Sequence, residues 1–163
     1  MLDIYTKSKE KTGRYFTRGD KLAQDEYQLA ASVAFINKEG EYLLTKRHQT
    51  KQMGLMWELP GGAVETDESS HEAAKREIHE EIGYWIDEAM EIEATIRYDN
   101  LNLLIDVFII HANVNLNLLI LQEDEVVDVM YYSFESISKL YKQGVLTPFD
   151  WEVCKRLNEY LTS

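Results

Sequence analysis

The chain has 163 residues, 45% hydrophobic and 28% charged, the balance of a globular protein long enough to bury a substantial core. Its formal net charge of −12 argues against non-specific nucleic-acid binding, which needs lysine and arginine facing phosphates. No apolar run is long enough to cross a bilayer, the opening MLDIYTKSKEKTG carries no secretory apolar stretch, and Cys154 is the lone cysteine, so a reducing, cytoplasmic setting without a membrane partner is expected.

In chain order, residues 1–28 read as a polar lead-in with a short strand or turn around Gly13–Gly19. Ala31–Ile36 and Tyr42–Thr45 are apolar runs separated by Asn37-Lys38-Glu39-Gly40, which is a hairpin pattern. A polar loop from His48 to Gly54 follows, then Trp57-Glu58-Leu59 and a Pro60-Gly61-Gly62 turn. Ser69-Ser70-His71-Glu72 has the form of a capping box and opens a helix, and Gly83 stands where a helix stops in a left-handed conformation. Ala74, Ile78 and Ile82 share one face of that helix. Ala94–Tyr98 and Leu103–Ala112 read as strands joined across Asp99–Asn102, and Val126–Tyr132 as another. Ser133 caps a helix over Ile137–Lys142 that Gly144 ends, and Thr147 followed by Pro148 starts the last helix. This irregular alternation predicts a single α/β domain over residues 1–163 with a mixed sheet rather than regular βαβ winding.

One stretch is arranged for chemistry. On a helix Glu77, Glu80 and Glu81 fall within about one third of the circumference, although like charges at such spacing repel. A concentrated carboxylate face asks for a cation, and Mg²⁺ prefers carboxylate and water oxygens. A glutamate-rich helix is ordinarily a solvated face. The spacing around these three decides otherwise. Gly62, five residues, Glu68, seven residues and then Arg76-Glu77-Ile78-x-Glu80-Glu81-x-Gly83-Tyr84 resembles the Nudix box across 23 residues, departing only in the aromatic Tyr84 at its aliphatic last position.

The resemblance implies a Nudix-type α/β/α sandwich with a central mixed β-sheet, and hydrolysis of a diphosphate linkage in a nucleoside diphosphate joined to another moiety. It implies Mg²⁺ as cofactor, with Mn²⁺ substituting, held by Glu77, Glu80 and Glu81 together with the Gly62 carbonyl. The same three glutamates are the candidate catalytic residues, Glu125 in the acidic Glu123-Asp124-Glu125 loop is a further candidate ligand, and one acidic group acts as general base. Glu68 and Arg76 are expected as supports, Arg76 pairing with Glu68 or a ligand glutamate. The resemblance further implies a nucleotide-type substrate and admits a homodimer.

Outside the box, Lys46, Arg47 and Lys51 are candidates to hold phosphates, Arg47 first, and Trp57, Tyr84, Trp85 and Tyr98 to stack on a base. His71 and His79 read as surface residues and Cys154 as packing. The substrate markers of several sub-families are absent from the sequence. Two other functions stay open: an enzyme like isopentenyl diphosphate isomerase, which needs a cysteine acid before the box where this chain has none, and a non-catalytic nucleotide-binding domain, which would often have lost the glutamates.

Overall fold

The computed structural model spans residues 1–163 and is built on a strand buried on both faces. That strand, β3 (Gln28–Ile36), alternates Leu29, Ala31, Val33 and Phe35 on one side with Ala30, Ser32, Ala34 and Ile36 on the other. Its neighbour β8 (Leu103–His111) runs parallel to it through nine consecutive register pairs, from Gln28↔Leu103 to Ile36↔His111. β7 (Ile92–Tyr98) returns antiparallel beside β8. On the other edge β4 (Tyr42–Arg47) follows the expected tight turn, yet it shares a single register pair with β3, Ile36↔Tyr42. It then diverges to pair with β5 (Trp57–Glu58) and β9 (Val126–Tyr132). The vacated edge of β3 is taken by β6 (Gly61–Ala63) over Ala30–Ser32. The hairpin is therefore split, and a cleft opens between its arms.

Helices cover both faces. Helix α1 (Ser70–Ile82) buries Ala73, Ala74, Ile78 and Ile82 against Val33, Phe35, Leu104 and Phe108. On the other face α2 (Phe134–Lys142) and α3 (Pro148–Thr162) pack Ile137, Val153, Cys154 and Leu157 against Ile36, Leu44, Val107 and Ile109. This is the α/β/α sandwich with a mixed sheet. α2 starts three residues earlier than the apolar pattern indicated, because Ser133 bonds the Ser136 amide and fixes the first turn.

The first 28 residues depart from the reading as a polar lead-in. Leu2–Tyr5 and Lys11–Phe16 form a hairpin, β1 and β2, whose Leu2, Ile4 and Phe16 bury together beside Leu22 and Ala63. Tyr5 pairs its backbone with Tyr27, and both rings join the α1-side core. Six buried residues in this stretch, the charged Asp3 among them, are too few and too scattered for alternation to show in the sequence.

The termini of α1 form as expected. Ser69 Oγ accepts from the Glu72 amide at 3.1 Å, Glu72 Oε1 accepts from the Ser69 amide at 3.2 Å, and Gly83 closes the helix at φ +70° with its N–H on His79. Ser69→Ala removes one half of the reciprocal cap and is expected to cost about 1 kcal/mol, lowering the melting temperature by roughly 2–4 °C in calorimetry.

Candidate active site

The split between β3 and β4 forms a cleft of about 550 Å³. Its floor is made by Ala30, Ala31 and Ser32 of β3 and Ile105 of β8, one wall by Thr45, Arg47 and Glu58, and the other by Gly61–Ala63 and the glutamate face of α1. Gly62, Glu77, Glu80, Glu81, Glu125 and Arg47, predicted from sequence as site residues, all line it.

Arg76 organises the box. Its Nε and Nη2 form a fork on Glu68 at 2.7 and 2.9 Å, Nη2 also donates to the Ala63 carbonyl at 3.1 Å, and Nη1 reaches Glu77 at 2.9 Å and Glu80 at 3.3 Å. It thus pairs with Glu68 and with candidate ligand glutamates at once. The Arg76 guanidinium holds the Glu68 carboxyl below the usual range.

Glu81 is 9% exposed, and burial, then the negative charges of Glu58 and Glu77, push its pKa well above the usual carboxylate range. Burial also raises Glu77, with Arg76 pulling the other way. The two carboxyls face one another's negative charge, which adds to the cost of ionising Glu81. Glu80 is half-exposed at the cleft mouth.

The glycine pair before α1 is set by close approach. A Cβ at Gly62 would lie against the Glu77 carboxylate, 2.6 Å from Oε1, while one at Gly61, where φ is +154°, would run into the Ala31 carbonyl, 3.0 Å from its carbon.

These features suit a divalent cation: hard oxygen donors, carboxyls whose charge the surroundings oppose, and a backbone cradle with room for nothing larger than hydrogen. The side chains are not arranged as a finished cage, since no three His, Cys, Asp or Glu converge on one point. Arg76 draws on Glu77 and Glu80, and Lys51 is ion-paired with Glu125.

The other predicted binding residues divide. Arg47 faces the cleft with its guanidinium on Glu58 at 2.6 Å and its Nε on the Gln52 carbonyl at 2.8 Å. Trp57 is a correction: it is 6% exposed, sits edge-to-face on Tyr132 with ring centroids 5.1 Å apart, and belongs to the α3-side core rather than the cleft. Alternation in the two-residue β5 turns Glu58 toward the cleft and Trp57 away from it. Nor do Tyr84, Trp85 or Tyr98 line the cleft: Tyr84 packs on Phe35, Trp85 stacks on His79, and Tyr98 donates to the Phe149 carbonyl. The aromatic ring that does line it is Phe149. His79, read as a surface residue, is partly covered by Trp85, and its Nδ1 is buried without a partner.

Three carboxylates in the cleft, Glu58, Glu65 and Asp150, were not among the predicted site residues. Glu58 was visible in Trp57-Glu58-Leu59, where a charged residue sits between two apolar ones. Asp150 was masked by its helix-start position, where an acidic residue has an ordinary explanation.

Comparison with known proteins agrees with this geometry. The NUDIX domain family model matches residues 26–156. An uncharacterised Nudix hydrolase of Listeria monocytogenes is 32% identical over 149 residues, covering 90% of this chain and 88% of that one. A CTP pyrophosphohydrolase of Escherichia coli is 40% identical over 64 residues, 39% of this chain and 42% of that one. A crystal structure from Deinococcus radiodurans superposes with a TM-score of 0.80 at 19% identity, over 95% of this chain and 97% of that one. The chain belongs to the Nudix family, as a hydrolase acting on phosphoanhydride bonds.

The two glycines give opposite mutational outcomes. Gly62→Ala meets only the movable end of Glu77, so the protein is expected to fold while its divalent-cation affinity, read by titration calorimetry, drops at least about tenfold. Gly61→Ala meets backbone and is expected to cost more than about 2 kcal/mol in chemical denaturation.

Proposed function

We propose that the protein hydrolyses the diphosphate linkage of a nucleoside diphosphate joined to a second group, with Mg²⁺ as cofactor and Mn²⁺ able to replace it. The observation that carries this reading is the charge of the cleft. Seven carboxylates line it against four basic side chains, so a diphosphate anion needs added positive charge to enter. Glu77, Glu80 and Glu81 with the Gly62 carbonyl would hold the metal, and Glu125 would join them on leaving Lys51. The bound ion supplies charge neutralisation at the diphosphate oxygens and lowers the pKa of a coordinated water.

The chain's own groups do the rest. Arg76 fixes the rotamers of Glu77 and Glu80 through its four-point anchorage. Arg47 and Lys51 bring positive charge to the opposite wall, where phosphate oxygens compete with Glu58 and Glu125 for them. One carboxylate among Glu77, Glu80, Glu81 and Glu125 takes the proton of the attacking water.

The isomerase alternative lacks support from the site. Cys154, the chain's one cysteine, is fully buried in the α3-side core and does not line the cleft. Retention of the whole glutamate set weighs against a purely binding domain.

Incubation with Mg²⁺ and a panel of nucleoside diphosphate derivatives is expected to release a nucleoside monophosphate and a phosphorylated partner, identified by mass. Conversion of isopentenyl diphosphate without any such release would sink the reading. Glu81→Gln is expected to keep or raise the metal-free melting temperature, lose the Mg²⁺-induced rise seen in the native protein, and lower turnover by more than about 100-fold.

A further inference from the structure

Of the four basic side chains that line the cleft, three are already committed to carboxylates. Arg47 is held by Glu58, Lys51 by Glu125, and Arg76 by Glu68, Glu77 and Glu80. The fourth, Arg18, lines the cleft with its guanidinium paired to no acid. It is also the one fully exposed at the mouth, the other three being partly covered.

A shortage of nearby acids does not explain this. Lys11 and Arg14, just before it on β2, pair with Asp3 and Glu26. Asp20, two residues after it, turns its Oδ2 to the Thr17 amide at 3.0 Å instead. The Asp20 amide donates to the Thr17 carbonyl at 2.9 Å and Gly19 takes φ +99°, so Thr17–Asp20 is a closed type II turn with Arg18 at its second position. The hairpin that carries the turn is seated on the site itself. Phe16 packs beside Ala63, whose carbonyl Arg76 holds, and the Met1 carbonyl accepts from the Thr66 hydroxyl at 2.8 Å. All of this lies ahead of residues 26–156, the segment the family model matches, so the hairpin adds a cation to the cleft from outside the shared domain.

We propose that Arg18 is a specificity-determining residue whose guanidinium takes the outer phosphate of a substrate in which the second group is itself anionic. This rests on the nucleotide-hydrolase reading and narrows the second group to one that carries its own charge next to the diphosphate. In that reading the diphosphate lies between the glutamate face of α1 and the wall of Arg47 and Lys51, two cations that must first be drawn from carboxylates. A phosphate projecting past them toward the mouth meets Arg18, which has no carboxylate to leave. The planar fork donates parallel N–H bonds to phosphate oxygens, and a neutral sugar in the same place accepts no such charge-assisted pair.

The test is titration calorimetry with Mg²⁺, using the α,β-methylene diphosphates and triphosphates of the four common nucleosides, whose α–β bridge resists hydrolysis. For the base bound best, Arg18→Gln is expected to weaken the triphosphate analogue by about 10-fold and the diphosphate analogue by less than about 2-fold. Arg18→Lys is expected to restore part of the loss, as a point charge without the fork. Both variants are expected to melt within about 2 °C of the native protein, since the side chain is exposed. Equal losses on the two analogues, an unchanged triphosphate affinity in Arg18→Gln, or no binding of any analogue by the native protein would overturn the assignment. Binding is read here without turnover, so failure to cleave any natural diphosphate would count against the hydrolase reading alone.

Discussion

Everything at the site hangs on one guanidinium. Arg76 ties the loop before α1 to the helix through Glu68 and the Ala63 carbonyl, and it steadies Glu77 and Glu80 with the same fork. Lysine would supply charge without the fork and could not engage Glu68, the Ala63 carbonyl, Glu77 and Glu80 together. The Gly61-Gly62 turn then brings β6 against β3, and the Glu77 carboxyl packs where a side chain at Gly62 would be. Loop, strand and helix are locked together by a residue that need not touch substrate.

The site also shows a conflict between folding and function. Glu77, Glu81, Glu58 and Asp150 all have carboxyls raised by burial, in a protein already carrying a net charge of −12. A fold selected for stability alone would disperse these groups. Here the opposition is partly offset by Arg76 on Glu77 and Arg47 on Glu58, and the remainder is available to whatever positive or hydrogen-donating group enters.

The parts of the fold legible from sequence are those governed by local rules. The cap at Ser69, the stop at Gly83, the β7–β8 turn and the proline start of α3 depend on near neighbours, and the chain states them directly. The parallel pairing of β3 with β8 was hidden, since its partners lie about seventy-five residues apart and nothing in either strand names the other. The hairpin at β1 and β2 was hidden by its charged face. At the site, the box was legible because its spacing is rigid. Trp57 and Glu58 show the limit of such reading: which neighbour faces the cleft depends on the direction of a strand two residues long. Asp150 was out of reach because its burial comes from the packing of α3 against the sheet.

The long span of the β3–β8 pairing has a consequence for the order in which the molecule becomes active. Helix α1 is assembled from contiguous chain, so the glutamate face can form early during synthesis. The floor beneath it requires β8, and the far end requires Phe149 and Asp150 on the last helix. Such distant contacts close late, after the loop entropy of the whole intervening chain has been overcome. A growing chain therefore carries the carboxylate face well before it has the cleft, whose lining is complete only once the start of α3 has been made.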